Sequence, residues 1–188
     1  MKMAFLIHGW GGNPNNAWFP WLKRNLQRAG FVVQVPQLPL PEMPQINRWV
    51  AALKKAVASP NEQTYLIGHS MGCQAIARFL ESQPANVKIG GAVFVGGFFK
   101  RLTGIETEED HAIDNHWLGT PIDLDLVRVH LNKSVAIFSD NDPFVPLDNQ
   151  DDFRKRLGSE IIVEHKKGHF DEILELPSAL EAVLKISK

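Results

Sequence analysis

The chain has 188 residues, 44% hydrophobic and 22% charged, with 14 glycines and 12 prolines. These are globular proportions, and they exclude a disordered, collagen-like or coiled-coil chain. Its 20 basic and 21 acidic residues leave a formal charge of −1, without the basic excess of a nucleic-acid or membrane-surface binder.

A chain of this length buries roughly 70% of the surface it exposes when unfolded, so a single domain over residues 1–188 needs no covalent staples. The one cysteine, Cys73, excludes an internal disulfide and a thiolate zinc cluster. The apolar run before His8, Met3-Ala4-Phe5-Leu6-Ile7, is too short for a signal sequence. No run approaches the ~20 apolar residues of a membrane span. The expectation is a soluble, cytoplasmic protein, monomeric or weakly self-associating.

In chain order, the first apolar run, Ala4–Ile7, leads into His8-Gly9-Trp10-Gly11-Gly12. Trp18, Trp21, Leu22, Leu26 and Ala29 then form a helical stripe stopped by Gly30. A second run, Phe31–Val35, precedes a Pro-rich stretch and the stripe Ile46, Trp49, Val50, Leu53 and Val57. The third run, Thr64–Ile67, is followed by Gly68-His69-Ser70-Met71-Gly72 and a helical stretch from Cys73 to Leu80. Further runs are Gly91–Val95, Val135–Phe138 and Ile161–Val163. Phe153 and Leu157 precede Gly158, and Ile173, Leu174, Leu180, Val183 and Leu184 predict a closing helix.

Continuous apolar runs suit strands buried on both faces, and their alternation with helices predicts an α/β fold. The expected sheet is six-stranded and mostly parallel, with helices on both faces. Such sheets bind ligands beyond the carboxyl ends of their strands. Residues 96–133 exceed one crossover. From Leu102 to Val127 they hold seven acids and no Lys or Arg, leaving the rest with 20 basic residues against 14 acidic. This segment reads as a small acidic insertion, either a solvated helix face or a cap over the site.

The G-x-S-x-G pattern at Gly68–Gly72 places Ser70 on a sharp strand-to-helix turn, its hydroxyl projecting from the sheet edge. A serine hydroxyl is a weak nucleophile, and it needs a base oriented by an acid. Later strands supply both, in the order serine, acid, histidine expected of this fold class: Ser139-Asp140-Asn141-Asp142-Pro143 and then Glu164-His165-Lys166-Lys167-Gly168-His169. Asp142 is preferred to Asp140, because the residue before proline is held extended. His169 is preferred to His165, because it lies in a loop behind Gly168 rather than at the strand end. The amides of Met71 and Trp10 are the expected oxyanion donors. His8 is read as a brace for the glycine loop, and His69 as a structural residue turned away from Ser70. No metal-ligand spacing is present, so no metal or cofactor is expected.

These residues resemble the α/β-hydrolase superfamily, and within it the small serine hydrolases of the retinoblastoma-binding protein 9 and YdeN type. The resemblance rests on the H-G-x-G-G start, Trp18-Phe19-Pro20-Trp21, Leu38–Pro44 with Trp49, G-H-S-M-G, Asp142-Pro143-Phe144-Val145-Pro146 and Gly168-His169-Phe170. It implies a compact hydrolase fold without the first two strands of the full version, and a Ser70, Asp142, His169 triad. The L-x-C-x-E signature of retinoblastoma binding is absent, so no protein partner is carried over.

The leading expectation is an esterase-like serine hydrolase that cleaves a small-molecule ester or amide through an acyl-enzyme. An amidase or aminopeptidase-like hydrolase, and a catalytically idle binding protein on the same scaffold, are the competing readings. Trp10, Trp18, Phe98, Phe99, Trp117 and Phe144 are candidates for an apolar pocket wall.

Overall fold

The computed structural model describes all residues, 1–188. In chain order the elements are β1 (Met3–Ile7), α1 (Phe19–Arg28), β2 (Val32–Gln34), α2 (Ile46–Ala56), β3 (Thr64–His69) and α3 (Met71–Glu81). There follow β4 (Gly91–Val95), α4 (Glu108–Gly119), α5 (Leu124–Val129) and β5 (Ser134–Ser139). A 3₁₀ turn, Leu147–Asn149, then runs into α6 (Gln150–Asp152) and a π-helical turn, Phe153–Leu157. The chain closes with β6 (Glu160–Glu164) and α7 (Pro177–Ile186).

The six strands lie in the order β2-β1-β3-β4-β5-β6, and every neighbouring pair is parallel. The sheet is therefore wholly rather than mostly parallel. Consecutive residues on each inner strand enter opposite layers of core. Phe5, Ile7, Leu66, Phe94, Ala136 and Phe138 join Trp49, Phe79 and Trp117 on one face. Leu6, Tyr65, Ile67, Val93, Val95 and Ile137 join Leu22, Leu26 and Val183 on the other. That two-sided burial is why the strands read as unbroken apolar runs.

Strand order reverses between β1 and β3, so their carboxyl ends open a crevice at the topological switch point. The glycine loop and the Ser70 turn both lie there.

Two boundaries differ from the expected ones. The edge strand β2 spans only Val32–Gln34, because it pairs with β1 alone. The final helix begins at Pro177 and omits Ile173 and Leu174. Leu176, held before proline, takes φ −136° and ψ 80°, and a residue there disfavours the helical region. Leu174 consequently stands 74% exposed.

In the 96–133 segment, many of the acids serve helix starts. Glu108, Glu109 and Asp110 occupy the first turn of α4, whose N-cap Thr107 accepts from the Asp110 amide. Asp123 caps α5 by accepting from the Asp125 and Leu126 amides. Acids at these positions complement the helix dipole. The carboxyl end of α4 is tied to α3 by buried Arg78, which donates to the Trp117 and Thr120 carbonyls at 2.7 Å each.

Candidate active site

The β3–α3 turn holds Ser70 at φ 52° and ψ −124°, a conformation costing a non-glycine residue on the order of 1–3 kcal/mol. Backbone bonds hold it on both sides: Ser70 N donates to Val95 O at 2.9 Å, and Cys73 N to Ser70 O at 2.9 Å. The flanking glycines are needed for space. A Cβ on Gly68 would meet Cys73 N at 2.9 Å, and one on Gly72 would meet Ile7 O at 2.4 Å and His8 O at 2.6 Å. Only bare backbone lets α3 start this close to β1. Gly9 presses from above, where a Cβ would come within 2.9 Å of Ser70 Cβ.

Ser70 is the N-cap of α3, yet its side chain makes no cap bond. Its Oγ lies 2.8 Å from His169 Nε2 instead. His169 Nδ1 lies 2.8 Å from Asp142 Oδ2, with the two side chains 11% and 2% exposed. Asp142 Oδ1 accepts from the amides of Phe144 and Val145 at 2.9 and 3.0 Å. The carboxylate thus has one oxygen locked to its own turn and the other aimed at the imidazole. With Nδ1–H donating to that oxygen, Nε2 is bare and accepts the Ser70 hydroxyl proton.

The rejected alternatives form a separate pair. His165 Nδ1 lies 2.5 Å from Asp140 Oδ2, and Asp140 Oδ1 accepts from Lys166 N at 2.8 Å. These bonds hold the Asp140 carboxyl below its ordinary range. The pair fastens the β6 loop to the β5 loop on the exposed side.

The Trp10 and Met71 amides donate to no acceptor within the protein. The loop carrying Trp10 is locked from behind. Gly11 N donates to Pro41 O at 2.9 Å, and Trp10 Nε1 donates to Glu42 O at 3.1 Å. His8 braces this loop as expected. Its Nδ1 donates to Gly9 O at 2.9 Å, and its Nε2 accepts from Leu38 N at 3.0 Å. Burial lowers its pKa, which suits a neutral ring that donates on one side and accepts on the other.

His69 departs from the reading above. It does not turn away from the site. Its Nε2 donates to the His169 carbonyl at 2.7 Å, and the two rings lie 5.0 Å apart. The sequence pattern marks the residue between glycine and serine as variable, so nothing local announces this bond.

Three further residues shape the site without a motif to reveal them. Asn141 Oδ1 accepts from Gly168 N at 2.9 Å and from Ser139 Oγ at 2.8 Å, while Ser139 Oγ accepts from Lys167 N at 3.0 Å. Gly96, at φ 54°, lies beneath the imidazole, where a Cβ would sit 3.4 Å from His169 Cε1. Its position after β4 was the available signal, since ligand sites lie past strand ends.

Ser70 and His169 open into a cleft of about 500 Å³, walled by Trp10, Leu102, Ile105 and Phe144 and by the acids Glu106, Asp110 and Asp171. A second cleft of about 260 Å³ leaves the same two residues toward Asn16 and Phe19. Of the six aromatic candidates, only Trp10 and Phe144 line the larger cleft. Trp18, Phe98 and Trp117 are fully buried in the core, and Phe99 stacks on Phe153. Cys73 is buried and its thiol pKa is raised by that burial, leaving it without thiolate character. No group of three or more His, Cys, Asp or Glu side chains converges as metal ligands do, and no helix is long and apolar enough to cross a membrane.

A parallel sheet of this order, carrying a strained serine at its switch point, defines an α/β-hydrolase. Residues 4–176 match the family described as serine hydrolase, and the chain belongs to that family. It is 30% identical over 171 residues to YdeN of Bacillus subtilis, which is named as a hydrolase, covering 91% of this chain and 87% of that protein. It is 23% identical over 186 residues to the serine hydrolase RBBP9 of Rattus norvegicus, covering 96% and 95%. The crystal structure of the B. subtilis ydeN product superposes with a TM-score of 0.90 at 28% identity, over 99% of this chain and 98% of that one. The protein is thus a serine hydrolase with the α/β-hydrolase fold.

Proposed function

We propose that the protein is a carboxylesterase for small-molecule esters, working through Ser70, His169 and Asp142. The observation that carries this is the unbroken line from Ser70 Oγ through the imidazole to Asp142, with two contacts of 2.8 Å, opening on a cleft with an apolar wall.

In the proposed reaction, Ser70 Oγ attacks the ester carbonyl carbon while His169 Nε2 takes the hydroxyl proton. The carbonyl oxygen becomes an oxyanion, which accepts from the Trp10 and Met71 amides. Asp142 keeps the proton on Nδ1 and stabilises the imidazolium. As the C–O bond breaks, His169 returns its proton to the departing alkoxide, leaving an acyl-Ser70 ester. Water then attacks that ester, with His169 again taking and returning one proton. The products are a carboxylic acid and an alcohol. Residues 96–133 supply the cap through Leu102 and Ile105, and Phe144, outside that segment, adds to the same apolar wall.

A second reading has one observation in its favour. Glu106, Asp110 and Asp171 line the cleft with no Lys or Arg among the lining residues, and none of the three carboxylates is in an ion pair. Such a lining favours a substrate with a cationic amine, as in an amidase or aminopeptidase-like hydrolase.

The test is Ser70→Ala, assayed on p-nitrophenyl esters and aminoacyl amides. The expected loss in kcat is a factor of about 10⁴ to 10⁶, with unchanged thermal unfolding. A fluorophosphonate probe should label wild-type Ser70 and not the variant. Ester turnover surviving the substitution sinks the proposal, and wild-type protein that resists the probe would favour the idle scaffold.

A further inference from the structure

The loop that carries His169 has no regular structure between β6 and α7. Its backbone takes positive φ at Lys166, Gly168 and Phe170, at 54°, 55° and 62°. Two of these are not glycine, so the loop carries strain on both sides of His169. It persists only where surrounding contacts hold it.

Those contacts are unevenly placed. Ahead of His169, the β5 loop takes the amides of Lys166, Lys167 and Gly168 through Asp140, Ser139 and Asn141. At His169 itself, the main chain makes one hydrogen bond to another part of the molecule, the 2.7 Å bond from His69 Nε2 to its carbonyl. That donor is the residue immediately before Ser70. The Ser70 turn therefore grips His169 at two points, its carbonyl through His69 and its imidazole Nε2 through Ser70 Oγ.

We propose that His69 is a positioning residue: its Nε2–H fixes the main chain of His169 and so sets the imidazole's reach to Ser70. The inference rests on the reading of Ser70, His169 and Asp142 as the reacting groups.

The chemistry of the pair fits that role. A carbonyl acceptor requires the Nε2–H tautomer of His69, and neutral imidazole supplies it. The Trp18 ring stands edge-on at 6.0 Å from the His69 ring, with the His169 ring at 5.0 Å. A neutral ring beside His169 leaves the imidazolium formed during acyl transfer unopposed, whereas a second cation about 5 Å away would raise its energy. Burial, and then the proximity of His169, lower the His69 pKa to about 3, so it stays neutral where His169 works.

Two variants separate the bond from the ring. His69→Gln keeps an N–H donor at about the reach of Nε2, and His69→Phe keeps a ring without one. With Phe, kcat is expected to fall by a factor of about 10 to 100, because small displacements of a reacting group cost that much. KM should stay within about threefold, and fluorophosphonate labelling should slow in parallel. With Gln, at least about a third of wild-type kcat should return.

A Phe variant within about twofold of wild type overturns the proposal. So does a Gln variant as impaired as Phe when both melt like the wild type. Where Phe fails to fold, the Gln variant decides alone: a tenfold loss in kcat at unchanged melting overturns the proposal, and retention supports it. Ser70→Ala and His169→Ala run alongside. Activity surviving in either would overturn the reaction reading itself, a result distinct from a failure of the His69 bond.

Discussion

Single residues at this site differ in role through what their second polar atom touches. His8, His165 and His169 follow strands and His69 ends one, yet only His169 has a hydroxyl on one nitrogen and a buried carboxylate on the other. His8 and His69 spend their donors on carbonyls, and burial lowers the pKa of both. A histidine with a depressed folded pKa takes up its proton more readily unfolded. Its contribution to stability is complete above about pH 6.5 and is lost as pH falls toward the folded value. For His69 that window runs from about 6.5 down to about 3. Urea unfolding at a series of pH values should show wild-type stability falling as the medium is acidified. In His69→Gln the fall between about pH 6.5 and 4.5 should be shallower by about 2 kcal/mol. Parallel slopes for the two proteins would show that His69 is not the group titrating.

Among the elements, α4 is tethered through its carboxyl end. Its amino end, with Glu106, Thr107 and Asp110, borders the cleft. Its carboxyl end rests on Arg78 of α3, and Trp117 Nε1 donates to Pro44 O at 3.0 Å. Arg78 takes the last carbonyls of α4, which no intrahelical amide reaches. Burial lowers its pKa to about 10, so it remains charged at neutral pH. Both carbonyls accept from Nη2 while Nη1 reaches Pro121 O at 3.5 Å, and a lysine ammonium cannot serve all three carbonyls from one point. Arg78→Lys should therefore destabilise the protein by about 1–3 kcal/mol. Hydrogen exchange should quicken in α4 while the β3 and β4 amides stay protected. Uniform acceleration across the sheet would mean that α4 unfolds only with the whole domain.

Across the whole molecule, charge and shape meet at one end of the sheet. The body carries a basic excess, while the 102–127 stretch is purely acidic among its charged residues other than histidine. Helix starts account for Glu108, Glu109 and Asp123, but Glu106 and Asp110 still face the cleft, and Asp171 joins them from the far side. Raising ionic strength from about 0.01 M to about 1 M should lower kcat/KM for an amine-bearing ester by about three- to tenfold. A neutral ester of the same size should change little. The double substitution Glu106→Gln, Asp110→Asn should flatten the first response and leave the second. Equal salt dependence for both esters would remove the acidic lining from any account of selectivity.

The architecture is legible in the sequence because its cause is local. A strand buried on both faces must be apolar at every position, and Leu6-Ile7, Leu66-Ile67 and Val93-Phe94 declare themselves without knowledge of their neighbours. The turn at Gly68–Gly72 is equally legible, since the lack of space for a Cβ there excludes every residue but glycine. Chain order places an acid and a histidine after β5 and β6, and strand adjacency carries them toward Ser70. Proline set the start of the last helix at Pro177, and the amides of Phe144 and Val145 hold the Asp142 carboxylate.

Tertiary structure alone decided the rest. It paired His165 with Asp140 on the exposed side, a bond that the preference for Asp142 and His169 does not imply. It sent Trp18, Phe98 and Trp117 into the core and kept Trp10 and Phe144 for the cleft, although all five are aromatic residues that follow a strand or lie in the 96–133 segment. And it turned His69 to the His169 carbonyl, one hundred residues away along the chain. Burial on a strand or room in a turn is a property of neighbouring residues, which a sequence records. A hydrogen bond between two loops depends on where the sheet sets them down, and that is settled only once the strands have paired.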